Sequence, residues 1–194
     1  MKPSINPWIS ISDLLSSVIL VILLLLVVTA IIPKMTTEYK LSNSMDKLSE
    51  KLSPYSGKGM VVVNTDEYKV ELTDVTFETA SACIDSSYDD VISILAENFN
   101  EMLLIHPKMS ILIEGHTDPR PVTGVVNRCG YFQNNFELST VRAINVRESL
   151  LQKFVNSDSL QARVGVGGYG DTRLKNTSDS TSAKNRRIDI RLLN

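Results

Sequence analysis

Residues Leu14–Ile32 read LLSSVILVILLLLVVTAII, 19 residues without a charge, in which Ser16, Ser17 and Thr29 are the only polar side chains. With Trp8–Asp13 in front, the stretch reaches about 25 residues, roughly 37 Å as a helix, enough to cross a bilayer with some tilt. Trp8 sits where an interfacial aromatic belongs; Pro7 suits a helix start, and Pro33 with Lys34 suits a stop. Two readings compete. A cleaved signal peptide has a basic n-region, a shorter apolar run and small residues before the cut, and Val28–Ala30 is a passable cleavage site. The single lysine ahead of the run, its length and an acid inside it favour a retained anchor. The division expected is a short N-terminal tail at 1–7, a transmembrane helix at 8–32, a linker at 33–58 and a soluble domain at 59–194.

That acid is Asp13. An ionised carboxylate in hydrocarbon costs about 2.5–3.5 kcal/mol even on the mildest insertion scale. An interfacial Asp can cap a helix, and Ser10 and Ser12 are also cap residues. An intramembrane acid is otherwise a functional group facing protein. Asp13, Ser16, Ser17 and Leu20 fall at i, i+3, i+4 and i+7 and share one face. A polar notch on a greasy helix needs a protein neighbour, because lipid offers it no bonds. Asp13 is therefore the candidate ion-translocating residue, with Ser16 and Ser17 in support. It would take up and release H⁺ or Na⁺.

In the linker, Leu41, Met45, Leu48 and Leu52 repeat at 4-3-4 spacing, the stripe of an amphipathic helix. It reads either as a solvated connector or as a short helix that pairs with its twin or lies on the membrane. SPYSGKG (Ser53–Gly59) breaks it.

Beyond it, MVVVN (60–64) and YKVEL (68–72) read as strands around a turn. A helix is expected from about Ser87 to Ile105, stopped by Pro107. SILIEGHTD (110–118) is a strand running into a loop over 119–137. A second helix has Ser139 as its N-cap. QARVGVGGYG (161–170) is a strand ending in glycines. RRIDIRLL (186–193) alternates Ile188, Ile190 and Leu192 against Arg187, Asp189 and Arg191. The order expected is β-α-β-α-β-β, an α+β domain with helices on one face of a mixed sheet.

The net charge of −2 argues against a dedicated nucleic-acid binder. GVGGYG opens no helix and is not a dinucleotide fingerprint. His106 and His116 are two lone histidines with no evident third ligand, so no metal is expected. No Ser/His/Asp or Cys/His arrangement stands out, so neither an enzyme nor a resident cofactor is expected. Cys83 and Cys129 lack CxxC spacing and are too few for a disulfide scaffold; outside the cytoplasm one bridge is open to them.

Taken together, IEGHTDPRP, NNFELSTVRAINV, GGYGDTR and AKNRRIDIRL resemble the OmpA-like peptidoglycan-binding domain over roughly 59–194, and the long loop after Asp118 resembles its MotB branch. The resemblance implies a pocket for the diaminopimelate residue of the wall's stem peptide. Asp118 would meet the ligand's ammonium and Arg142 its carboxylate, since an Arg–carboxylate pair adds direction as well as energy. Thr117, Asn135 and Leu138 match surrounding positions, and Arg186 and Arg187 the rim. The plainer alternative is that Asp118 and Arg142 pair with each other. The domain would be periplasmic, which would let Cys83 and Cys129 bridge the first helix region to the loop.

One early Asp in a single span, a short linker and an OmpA-like end together resemble the B subunits of ion-driven stator complexes. PWISISDLLSSVILV looks more like the Zorya anti-phage branch than the flagellar one. The resemblance implies a homodimer in the inner membrane with its N-terminus cytoplasmic. It also implies a polytopic A-type partner of the ZorA/MotA kind, and a segment near 35–52 that plugs the idle channel. A static wall tether, or a solute-import energiser of the ExbD or TolR type, is the competing class.

Overall fold

The computed structural model describes residues 7–77, 81–122, 125–127, 129–155 and 157–193, and the chain divides into two compact units, Met1–Leu41 and Ser42–Asn194. Helix α1 runs Pro7–Ser56. Within it Ile11–Ile31, 21 residues of mean hydropathy 3.1, is long and apolar enough to span a membrane. Its apolar side chains are exposed on every side, as a helix surrounded by hydrocarbon requires. The tail expected at 1–7 lies, except for Pro7, outside the described residues. Asp13 stands beyond the first turn of α1, so it does not cap the helix. Ser16 and Ser17 donate their hydroxyls back to the Ser12 and Leu14 carbonyls, 2.8 Å each, which satisfies them within the helix.

The second unit begins at Ser42, earlier than the 59 expected from the sequence. Met45, Leu48 and Leu52 are fully buried in it. The amphipathic stripe therefore serves neither as a solvated connector nor as a face left bare for a twin. The end of α1 lies on helix α2 (Asp89–Ile105). Lys51 Nζ donates to Asn98 Oδ1 at 3.2 Å and Tyr55 Oη to Asp90 at 3.3 Å.

Five strands form one sheet: β1 (Val61–Asn64), β2 (Lys69–Leu72), β3 (Ser110–His116), β6 (Val164–Gly168) and β7 (Arg187–Leu193), in the order β1-β2-β7-β3-β6. All neighbours are antiparallel except β3 and β6. Two strands precede α2, not the one written in the expected order. The stretch 119–137, expected as loop alone, holds a hairpin of β4 (Val125–Asn127) and β5 (Gly130–Phe132).

Period-2 alternation decides the sheet's two faces. Val70, Leu72, Ile111, Ile113, Ile188 and Ile190 are buried on the face that carries helix α3 (Asn135–Leu151). On the other face the register sets Glu71 opposite Asp189 and Asp189 opposite Glu114, three acids side by side across β2, β7 and β3. Segment 169–186 covers them with cations. Lys175 reaches Glu71 at 2.6 Å and Arg173 reaches Glu114 at 3.4 Å, while Arg191 on β7 meets Glu114 at 2.6 Å. Both faces are thus buried, one by hydrocarbon and one by ion pairs.

α3 starts earlier than expected. Its N-cap is Asn134, whose side chain accepts from the Glu137 amide, while the Glu137 carboxylate accepts from the amide of the residue before the cap, Gln133. Ser139, expected as the cap, is instead fully buried, and its Oγ accepts from the Gly170 amide at 3.0 Å.

Candidate functional site

The site gathers where β3 ends, where β6 ends and where α3 begins. The Thr117 amide donates to the Gly170 carbonyl at 2.8 Å and the Tyr169 amide to the Gly115 carbonyl at 2.9 Å, locking the two strand ends together. Gly115 and Gly168 are register partners. A Cβ on either would strike the backbone or side chain of Ser139 or Thr140, so the glycines let α3 come down onto the sheet. That close approach brings Asn135 beside the loop after Asp118. Asn135 Nδ2 donates to the Asp118 and Arg120 carbonyls, 3.1 Å each.

Asp118 is 4% exposed. Its Oδ1 accepts from the Arg120 amide at 3.0 Å; its Oδ2 accepts from Arg120 Nε at 2.9 Å and Arg186 Nη1 at 2.6 Å. Arg186 turns its other edge to Asp74, bidentate at 2.6 Å on both oxygens. The result is an alternating row, Arg120–Asp118–Arg186–Asp74. Burial works to raise the Asp118 pKa, but hydrogen bonds from Arg120 and Arg186 outweigh it and hold the carboxyl below its usual range. Hydrogen bonding to Asp74, opposed by burial and helped by Asp118, raises the pKa of Arg186.

Arg142 is 5% exposed and stands apart from this row. Its Nε donates to the Ser81 carbonyl at 2.9 Å, and its guanidinium lies over the Phe77 ring at 4.7 Å. Burial pushes its pKa down to about 10, with Arg186 adding to the shift and Asp74 and Asp118 opposing it, so it is still a cation at neutral pH. Among the described residues Asp118 and Arg142 make no ion pair, which removes the plainer alternative that the two merely hold each other. Two further buried atoms point at a missing partner: Thr117 Oγ1 and Asn135 Oδ1 have no hydrogen bond.

Other expected residues lie elsewhere. Leu138 does not line the site; it is buried with Ala82 and Phe132, and Val122, Cys129 and Val141 pack against that cluster. Arg187 is not at the rim either. It sits 9% exposed on the sheet's polar face and pairs with Asp189 at 3.2 Å. Asp13 belongs to the other unit. Cys83 and Cys129 form a disulfide with Cα atoms 5.3 Å apart.

Sequence reading missed Arg120, Asp74 and Ser81. Arg120 was findable, since an amide two residues after an Asp is the ordinary partner of its carboxylate. Asp74 and Ser81 carry no local signal. The third ligand not evident beside His116 exists: Glu114, His116 and Asp189 offer atoms within 4.8 Å of one another, and cross-strand register brings them together. Guanidiniums from Arg173, Arg187 and Arg191 already neutralise both acids, so the cluster is a buried ion-pair network rather than a vacant cation site. Next to Asp74 and Arg186 a cavity of about 440 Å³ opens, lined also by Val62, Thr73, Lys175 and Lys184.

Known proteins resemble this chain in sequence and in fold. Motility protein B of Bacillus subtilis is 31% identical over 99 residues, 51% of this chain and 36% of that protein, so the chain spans about a third of its relative's length. The periplasmic domain of Helicobacter pylori MotB superposes with a TM-score of 0.51 at 26% identity, covering 64% of this chain and 74% of that one. A putative MotB-like protein from Desulfovibrio vulgaris shares the fold, with a TM-score of 0.61 at 20% identity over 81% of this chain and 96% of that one. The OmpA family's sequence model matches residues 76–187, more than half the chain, and on that match the protein belongs to the OmpA family.

Proposed function

We propose that this chain is the B-type subunit of an ion-driven stator complex in a bacterial inner membrane, tied to peptidoglycan by its OmpA-like domain. The observation that carries the wall reading is Arg142, a buried cation with no carboxylate partner among the described residues, close enough to Asp118 and Asp74 for their charges to oppose the fall of its pKa; the orphaned Thr117 Oγ1 and Asn135 Oδ1 beside Asp118 support it. A buried unpaired charge is costly, and an anionic ligand relieves it. The ligand class is an amino acid bearing both ammonium and carboxylate, the diaminopimelate of the stem peptide, with Asp118 and Arg142 as its two poles. The disulfide supports a periplasmic placement of the domain. Asp13, the one charged residue of the span Ile11–Ile31 and beyond the first turn of α1, supports ion carriage of H⁺ or Na⁺ between this chain, a second copy of it and a polytopic A-type partner.

Within this class we place the chain with ZorB of the Zorya anti-phage system, on the residue pattern PWISISDLLSSVILV around Asp13. The identity with Motility protein B favours a flagellar role as the second reading. The wall reading is tested by sedimenting the full-length chain, in mild detergent, with purified sacculi. The parent is expected in the pellet, and Asp118→Ala or Arg142→Ala in the supernatant; co-sedimentation indifferent to both ends the assignment. The motor reading is tested by Asp13→Asn, which is expected to insert normally and abolish function. Loss of phage resistance would mark the Zorya role and loss of motility the flagellar one, while full activity would leave only a tether.

A further inference from the structure

Residues 81–85 form a strap laid across α3. Ser81, Ala82 and Cys83 are buried. One end is pinned to the domain: Phe77 and Ile84 form a bridge, and the Asp85 amide donates to the Thr76 carbonyl at 2.8 Å. Two side chains of α3 hold its backbone. Arg142 Nε donates to the Ser81 carbonyl at 2.9 Å, and Asn145 Nδ2 to the Ala82 carbonyl at 2.7 Å. A further tie is covalent, from Cys83 to Cys129 between β4 and β5 of the hairpin. Ala82 shares a small core with Phe132 of that hairpin and Leu138 of α3. Strap, hairpin and the arginine of the ligand site are therefore one mechanical piece. A bond between two sulfurs, 46 positions apart in sequence, closes it.

That bond is not sealed inside the protein. Both cysteines line an open cavity of about 580 Å³, whose other walls include Asp89, Ile92, Asn145 and Glu148. Cys129 is partly exposed while Cys83 is 4% exposed. Asn145 both lines this cavity and holds the strap, so the two features meet at one residue.

We infer that Cys83–Cys129 is a thiol–disulfide exchange site for a dithiol reductant, and that its reduction frees the strap and weakens ligand binding at Arg142. A thiolate of the dithiol attacks Cys129 Sγ; the Cys83–Cys129 bond breaks, and Cys83 leaves as a thiolate that takes up a proton. The reductant's second thiol, once deprotonated, attacks the mixed disulfide and expels Cys129, which is protonated in turn. Two electrons and two protons pass to this chain, and the dithiol leaves as a disulfide. Ser81 then loses its covalent neighbour's restraint, and Arg142 loses a fixed acceptor. Removing an acceptor from a charged donor is worth roughly a tenfold change in an equilibrium it controls. The affinity half of this inference rests on the wall-binding reading; the exchange half does not.

The test uses the full-length chain in mild detergent at neutral pH, with dithiothreitol as the probe and no denaturant. Free thiols are trapped by alkylation and counted by mass. Hydrogen exchange is followed at residues 81–85, and sedimentation with sacculi is measured in parallel. The expected result is two trapped thiols in a chain that keeps its far-UV spectrum. Amide exchange at 81–85 should rise at least about tenfold. Sacculus affinity should fall about tenfold and return on reoxidation. A Cys83→Ser/Cys129→Ser chain should bind weakly with or without dithiothreitol. A disulfide untouched until the chain unfolds overturns the exchange site. Faster exchange at 81–85 with unchanged sedimentation overturns the link to Arg142. If the oxidised chain itself fails to sediment, the wall reading falls, and alkylation with hydrogen exchange still decides the exchange site.

Discussion

Gly115→Ala perturbs the site through backbone packing without replacing any of its polar side chains. A Cβ there would stand 2.7 Å from the Ser139 carbonyl carbon and 3.2 Å from its Cα, with the carbonyl oxygen nearer still. Carbon–carbon contacts relax only at about 3.5–4.0 Å, and the obstacle is helix backbone, so α3 must move as a body by roughly 1 Å. Overpacking of this kind costs about 1–3 kcal/mol, and a rigid obstacle puts Gly115→Ala at the upper end. For a domain of this size, about 3 kcal/mol lowers Tm by roughly 6–12 °C. Gly165→Ala is the control. It lies on β6, and its Cβ would make an ordinary 3.6 Å contact with Leu112 Cδ1, so a change within about 0.5 kcal/mol is expected. Thermal unfolding by far-UV circular dichroism, with the sacculus assay run beside it, reads both. Because Asn135 and Arg142 ride on α3, Gly115→Ala should also weaken binding below its melting range. A Tm for Gly115→Ala as close to the parent as that of Gly165→Ala would refute the close approach of α3 and the argument for how the site is assembled.

Three further outcomes are expected. Burial, with Arg187 next in effect, pushes the His116 pKa from 6.5 down to about 4, against the opposing pull of Glu114. Between those values the unfolded chain binds a proton that the fold refuses, so stability falls as pH drops from about 6.5 to about 4, by at most about 3 kcal/mol; equal urea midpoints at pH 7 and pH 5 would contradict this. The Arg120 side chain, 60% exposed, occupies the Asp118 oxygen that a ligand ammonium would need. Exposed pairs are worth about 0.2–1 kcal/mol, so Arg120→Ala should tighten sacculus binding up to about fivefold, and weaker binding would count against competition at Asp118. The disulfide closes a loop of 46 positions, worth about 4 kcal/mol on the chain-entropy account, and the Cys83→Ser/Cys129→Ser chain should lose a comparable amount in a denaturant titration.

The membrane segment was legible because nineteen uncharged residues admit few other readings, and the sheet's faces because alternation in residues 186–193 fixes them. The cap of α3 was misplaced by five residues: Ser139 and Asn134 are equally good cap types, and only the Glu three residues after Asn134 separates them. The β4–β5 hairpin escaped because three-residue strands carry too little pattern. The stripe at Leu41–Leu52 was read correctly as a helix face, but nothing in its spacing says whether the partner is another molecule or the chain's own α2. Asp118, Asn135 and Arg142 were found through a motif, yet their relation was not. That Asp118 pairs with Arg120 and Arg186, leaving Arg142 to a carbonyl and an aromatic ring, depends on contacts up to 112 positions apart.

The strand order carries a consequence for how the protein is made. β7, the last described strand, lies between β2 and β3 and is, among the described residues, the only hydrogen-bonded link between β1–β2 and β3–β6. Until residue 187 and those after it have emerged from the ribosome, the sheet exists only as two unjoined halves. The three acids have no finished row, and the apolar face has no centre. A nascent chain can therefore form α1 early but cannot complete the sheet before β7 is free to pair. A truncation ahead of Arg187 leaves two fragments of sheet with bare edges, a substrate for proteolysis rather than a shortened subunit.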